Sequence, residues 1–323
     1  MRTAAKSGLI LGILTAALWS PALYLAVGAA EASGGEAGAP PLFMLTFHFY
    51  VVLWAALACF GLLLLSGRAG ELSLFKRSQT HMLILVAVGG YGFWLLRALA
   101  LRPAASGPVG SGPLPSQVHA FLYLGPLLLG FLSIPSREGA RARQLAALVL
   151  GFLGCVLIAR SLWRDGGGGS QWHGHVWLAG ASAACWAVFA LLARPAVREH
   201  KPLPVLTIVL GIGAACLLVT CLTTGAGVLG VGGRALRASM LVGAFSGALG
   251  LLFWLNCLAV APPATAAPAW YMAMVFGLLW ARWGRGVRPT WVALVGGALV
   301  VLSLYVTYTG ARRGGPGAAD FSL

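Results

Sequence analysis

Arg97 is the one cation set well inside an apolar run of this sequence. A guanidinium at that depth can hold a substrate carboxylate or phosphate through charge-assisted hydrogen bonds, or reach back to lipid headgroups beside Arg102. His48 and His119 also lie in apolar runs. Imidazole changes charge near neutral pH, which makes His48 the residue able to couple a proton. Two membrane imidazoles could also hold a haem or a metal. Asn256 is the only asparagine. Lipid cannot satisfy its amide, so it holds a neighbouring helix or lines a cavity. Aromatic candidates for a substrate wall are Trp19, Tyr91, Trp94, Tyr123, Trp186 and Trp254, with Trp270 and Tyr271 beside them. Their faces would stack on a flat or apolar substrate, although the same rings fill a core equally well. Trp172, Trp177 and Trp291 instead fit the interfacial belt.

What is missing is as informative. All seven acids (Glu31, Glu36, Glu71, Glu138, Asp165, Glu199 and Asp320) map to loops or the tail. Antiporters and organic-cation carriers commonly use a carboxylate in the bilayer. Its absence points to a facilitator or exchanger of neutral, zwitterionic or anionic substrates. The run Gly166–Gly169 has no strand before it and no Lys-Ser/Thr after it, so it is not a phosphate loop. Nucleophile elbows, HExxH and paired catalytic acids are also lacking. No enzyme, catalytic residue, metal or cofactor is therefore expected. Cys59, Cys155, Cys185, Cys216, Cys221 and Cys257 all fall in apolar segments without CxxC spacing and read as packing residues.

The elements that must carry these side chains follow from composition. Hydrophobic types make up 59% of the 323 residues and charged residues 9%, too few to cover a soluble protein of this size. The chain is expected to be an all-α polytopic membrane protein. Ten spans are long enough to cross a bilayer: 8–29, 42–65, 80–101, 118–134, 144–160, 175–193, 203–223, 238–260, 264–281 and 290–308. The first could instead be a signal peptide, but its apolar run is longer than a signal core. The net charge of +15 is spread in twos and threes between spans, which suits headgroups rather than nucleic acid. Over the first half it gathers at Arg68, Lys76 and Arg77 and at Arg137, Arg141 and Arg143, while the first loop on the other side holds Glu31 and Glu36. That bias places both termini in the cytoplasm, and the membrane is expected to be a bacterial inner or plasma membrane. The expected partners are a small-molecule substrate and lipid, with the chain a monomer or homodimer.

The two halves echo each other. Ala16-Ala17-Leu18-Trp19 matches Ala183-Ala184-Cys185-Trp186, Phe93-Trp94-Leu95 matches Phe253-Trp254-Leu255, and Ala147-Leu148-Val149 matches Ala293-Leu294-Val295. Arg97 falls one residue along from the position that pairs with Asn256. Five spans per unit is an odd number, so the second unit is expected to be inverted, with substrate between the units near the midplane. The division is 1–160 and 175–309, joined by 161–174 and followed by a disordered tail at 310–323. Pro21 and Pro126 remove backbone hydrogen bonds and should kink spans 1 and 4. Glycines at 89, 90 and 92 and at 243, 247 and 250 permit close crossings.

With Ala17–Ser20, Phe93-Trp94-Leu95, Leu124-Gly125-Pro126 and Arg137-Glu138, the sequence resembles the drug/metabolite transporter superfamily, EamA-type, over nearly its whole length. Tyr123-Leu124-Gly125-Pro126 looks most like the aromatic amino-acid exporter branch. The resemblance implies ten helices, two five-helix units, and a cavity lined mainly by spans 1, 3, 4, 6, 8 and 9. It implies export of amino acids or similar metabolites by alternating access. Two alternatives remain open: a nucleotide-sugar or sugar-phosphate exchanger, which would need more than one buried cation, and an intramembrane haem or metal protein using His48 and His119.

Overall fold

Apolar runs with no unpaired backbone donors have one solution in lipid, and the structure adopts it. The computed structural model describes residues 2–34, 42–72, 84–106, 116–134, 142–162, 173–228 and 231–313, and these are helical without strands. The helices are α1 (Arg2–Gly34), α2 (Phe43–Leu65), α3 (a π-helical stretch Val86–Gly92 continuing as Phe93–Ser106) and α4 (broken into Ser116–Leu122 and Gly125–Leu132). They continue as α5 (Ala142–Leu162), α6 (His173–His200) and α7 (Pro202–Thr223). The last three are α8 (Gly233–Leu241, π-helical Val242–Gly250, then Leu251–Val260), α9 (Pro263–Arg285) and α10 (Trp291–Arg313). Among the described residues seven helices are long and apolar enough to cross a membrane; α3 and α4 contribute shorter apolar stretches. The protein is a multi-pass integral membrane protein. Trp177, Trp283 and Trp291 are exposed near helix ends, where an interfacial belt would lie.

Contacts at the helix ends define two faces. On the terminal face Gly8 meets Ala261, Gln144 Nε2 donates to Thr265 Oγ1, and Arg143 donates to Thr309 Oγ1. On the opposite face Tyr50 donates to the Val228 carbonyl and His175 Nδ1 lies 3.2 Å from the Leu99 carbonyl. Glu71, just past α2, is clasped at the terminal face by Arg68 Nε and Nη2 at 2.9 and 2.7 Å and by Lys201 Nζ at 3.2 Å. The Arg68 hydrogen bonds, reinforced by Lys201 and opposed by burial, hold its carboxyl down at about 2. Lys201 is the single residue between α6 and α7 and turns the chain with φ 67°.

Matching contacts recur in the two halves. Gly90 of α3 packs on the Val209 carbonyl of α7, and Gly243 of α8 packs on the Val51 carbonyl of α2. Both α3 and α8 are π-helical at that crossing. Where α5 crosses α10, Gly154 faces Gly296 and Val300, and Gly296 faces Gly154 and Ile158. Gly154 and Ile158 thus correspond to Gly296 and Val300, one helical turn from the register that the Ala-Leu-Val match suggests.

Three local expectations change. The helix before the central connection runs to Leu162 and the next begins at His173, so the linker is shorter than 161–174. The last helix continues to Arg313, which makes 310–313 helical; 314–323 and Gly166–Gly169 lie outside the described residues. Glu31 and Glu199 sit in the last turns of α1 and α6 rather than in loops. In each case the backbone keeps its hydrogen-bonded ladder past the apolar boundary, because headgroup-depth helix costs nothing in unpaired amides.

Candidate substrate site

The first helix is built to bend where the site lies. Pro21 has no N–H for the Ala17 carbonyl, and Ser20 Oγ donates to that carbonyl at 2.8 Å. One residue along, the Leu18 carbonyl accepts Ser246 Oγ of α8. This bond ties α1 to the π-helical part of α8 beside Trp19. Gly250 makes room for the Trp19 ring, because a methyl there would lie 2.8 Å from Cδ1.

Above this joint, toward the opposite face, is a cavity lined by Trp19 and Ala22 of α1, His48 of α2, Trp94 and Arg97 of α3, and Ser246 of α8. The space it encloses is small, about 10 Å³ for the centre of a water-sized guest. Trp19 and Trp94 form its floor, stacked at 5.7 Å with a 27° interplanar angle. The Arg97 Cζ stands 5.8 Å from the Trp19 ring centroid, a cation–π distance. No acidic side chain is among the lining residues. His48 packs on Trp94 at 6.1 Å, and its Nδ1 lies 2.8 Å from the Met44 carbonyl. A carbonyl only accepts, so Nδ1 carries the hydrogen and Nε2 is left as the free nitrogen of the neutral ring.

Below the floor the aromatic wall continues. Trp270 of α9 touches Trp19 at 5.0 Å and Trp186 at 4.5 Å, and Trp186 in turn touches Trp254 at 5.1 Å with a 30° interplanar angle. Gly125 at the break in α4 admits the Trp186 ring, 2.7 Å from where a methyl would stand. The Nε1 donors of Trp19, Trp94, Trp186 and Trp254 are buried without an acceptor among the described residues. Each such donor costs roughly 1–3 kcal/mol. A pure packing core would use Phe or Leu here.

The terminal side of the same path is shut. A methyl on Gly8 would lie 2.9 Å from the Ala261 Cβ and one on Gly12 2.6 Å from the Ala269 Cβ, so α1 packs directly on α8 and α9. Cys257 Sγ donates to the Gly8 carbonyl at 3.1 Å. Arg194 of α6, only 7% exposed, donates from Nε to the Leu258 carbonyl at 3.1 Å, near the C-terminal end of α8 where a cation is favoured.

Of the residues singled out in the sequence, Trp19, Trp94, Arg97 and His48 meet at the cavity, and Trp186 and Trp254 form the adjoining buried pair. Tyr91 turns to α7, its hydroxyl 2.9 Å from Thr220 Oγ1. Tyr123 sits at the α4 break with its ring 5.6 Å from His119. Asn256 Nδ2 donates to the carbonyl of Leu252 in its own helix. Pro126 does not kink a continuous span: α4 breaks at Tyr123 and Leu124, and Pro126 opens the second piece, where its missing N–H is not needed. His48 and His119 contact different aromatic residues, and no three His, Cys, Asp or Glu side chains cluster to hold a metal among the described residues. The sequence reading missed Arg194, which falls just beyond the span drawn at 175–193, although α6 runs on to His200. It also missed Ser20, Ser246, Gly8 and Gly12. The Gly8/Gly12 spacing, small residues one turn apart at the start of an apolar run, is the signal that could have found the seal.

Residues 174–309 match the EamA-like transporter family. The second half is thus similar to EamA-like transporter domains. The motifs that carried the resemblance lie in the first half, so the match rests on independent residues; it does not extend to the aromatic exporter branch. The family is one of membrane transporters, not enzymes. Solved structures share the fold: a crystal structure of a protein aligns with a TM-score of 0.74 at 21% identity, covering 95% of this chain and 98% of that one. No curated protein matches.

Proposed function

We propose that the protein is a secondary transporter that moves small metabolites by alternating access, with two inverted five-helix units, 1–160 and 175–309, rocking about the crossings of α5 with α10 and α2 with α7. The observation that carries this reading is the asymmetry of one path: a cavity toward the opposite face and a glycine-packed seal toward the terminal face, both built on α1 and α8. The reciprocal crossing at Gly154 and Gly296 supports the inverted relation, because a two-fold axis between units requires it. The substrate is a neutral, zwitterionic or anionic compound such as an amino acid. It is bound by Trp19, Trp94 and Arg97, with His48 as the group able to carry a coupled proton.

A single cysteine tests the cycle. The Cβ of Gly8→Cys would stand 3.6 Å from Val260 Cγ2 and 4.0 Å from Cys257 Sγ, close enough to the latter for a bridge after a small shift past Ala261. In proteoliposomes, oxidation should stop solute exchange and reductant restore it. Full-rate exchange by the cross-linked protein would refute alternating access.

A further inference from the structure

The two tryptophan pairs have matching construction. Trp19 and Trp94 come from α1 and α3; Trp186 and Trp254 come from α6 and α8, and the sequence motifs around them pair in the same way. The rings of each pair meet at a similar angle, 27° and stacked in one, 30° and tilted in the other. Each holds two buried indole donors without an acceptor among the described residues. Each also has a buried or half-buried arginine between it and its own face: Arg97 three residues past Trp94, and Arg194 held to the Leu258 carbonyl one turn past Trp254. Trp270 touches Trp19, Trp186 and Trp254 and so joins the pairs.

We propose that the protein binds planar organic monoanions at two half-sites, Arg97 with Trp19 and Trp94 toward the opposite face, and Arg194 with Trp186 and Trp254 toward the terminal face. This rests on the transporter reading and narrows its substrate class. The polar side-chain groups on this path are mostly donors: four indole N–H groups and two guanidinium groups, with no carboxylate among the cavity's lining residues. An anion supplies acceptors to all of these, whereas an organic cation would be repelled by the arginines. A neutral ring would stack but leave the Arg97 charge unanswered. The ring planes favour a flat body on the charged group. In the present conformation the first half-site opens into the cavity. The second is closed, with Arg194 answered by the Leu258 carbonyl in place of an anion. When α1 swings away from α8 and α9 at Gly8 and Gly12, the second half-site becomes the mouth.

Three probes of one shape separate charge from stacking: benzenesulfonate, benzenesulfonamide and benzyltrimethylammonium. Calorimetry on the full-length protein in micelles should detect benzenesulfonate and neither of the others. In proteoliposomes of one orientation, Arg97→Gln should raise the benzenesulfonate KM about tenfold or more from the opposite face alone. Arg194→Gln should do so from the terminal face alone. Arg97→Lys and Arg194→Lys, which keep a cation, should recover part of each loss and guard against a folding defect. Trp94→Phe and Trp254→Phe keep the stack and lose the donor, and should each weaken binding severalfold on their own side. Transport of the cation or the amide in preference to the sulfonate overturns the anion assignment and leaves the transporter reading standing. Sulfonate binding without transport does the reverse. An Arg194→Gln effect that is equal from both faces, or absent, overturns the second half-site.

Discussion

Consider a methyl group placed at the α5–α10 crossing. On Gly154 it would stand 2.6 Å from the Gly296 carbonyl oxygen, and on Gly296 it would stand 2.6 Å from the Gly154 carbonyl oxygen. A carbon approaches such an oxygen to about 3.3 Å, so either substitution forces the helices apart by roughly 0.7 Å. Overpacking of this kind costs about 1–3 kcal/mol. Alanine returns up to about 1 kcal/mol of helix propensity. Gly154→Ala and Gly296→Ala alone should each destabilise by about 0–2 kcal/mol. In the double variant the separation is made once while the propensity gain is made twice, so its cost should fall below the sum of the singles by about 1–3 kcal/mol. Equilibrium denaturation in mixed mild-detergent and dodecyl sulfate micelles measures all three. Strictly additive penalties would mean that the two approaches are not one reciprocal contact, and the two-fold relation between the halves would lose its strongest support.

Other outcomes follow from the same contacts. Ser20→Ala should cost about 1–2 kcal/mol, because it leaves the Ala17 carbonyl without a donor, but should cost little in a Pro21→Ala background where residue 21 supplies an N–H; denaturation midpoints of the four proteins decide this. Because the Glu71 carboxyl is held down at about 2, its clasp on Arg68 and Lys201 is complete above an ordinary carboxylate value of about 4.5 and is lost as the pH falls from there toward 2. Protection factors of the amides over 66–72 should be unchanged from pH 8 to pH 5 and lower at neutral pH in Glu71→Gln; equal protection in that variant would show that the clasp holds nothing. His48→Gln should flatten the pH dependence of transport. A pH profile that keeps its shape would remove His48 from coupling.

The sequence alone determined the class of this protein, because a chain with 9% charged residues has too little polar surface for water and its apolar runs must become helices in lipid. It also supplied Trp19, Trp94, Arg97 and His48, since rings and a cation inside apolar runs are conspicuous against leucine and alanine. Which of these meet was decided only in three dimensions. Tyr91 and Asn256 lie in the same spans as Trp94 and Trp254, yet they turn to Thr220 and to their own helix: Asn256 stands two residues, about 200°, from Trp254, and Tyr91 lies in the π-helical stretch, whose wider winding breaks the ordinary three-residue register with Trp94. Arg194 became a buried cation only because α6 continues past Pro195 and meets the end of α8. The seal at Gly8 and Gly12 depends on what stands opposite a missing side chain, and a one-dimensional string does not record that distance. Periodicity and hydropathy describe each helix against its solvent; the site consists of what neighbouring helices present to one another, which packing settles.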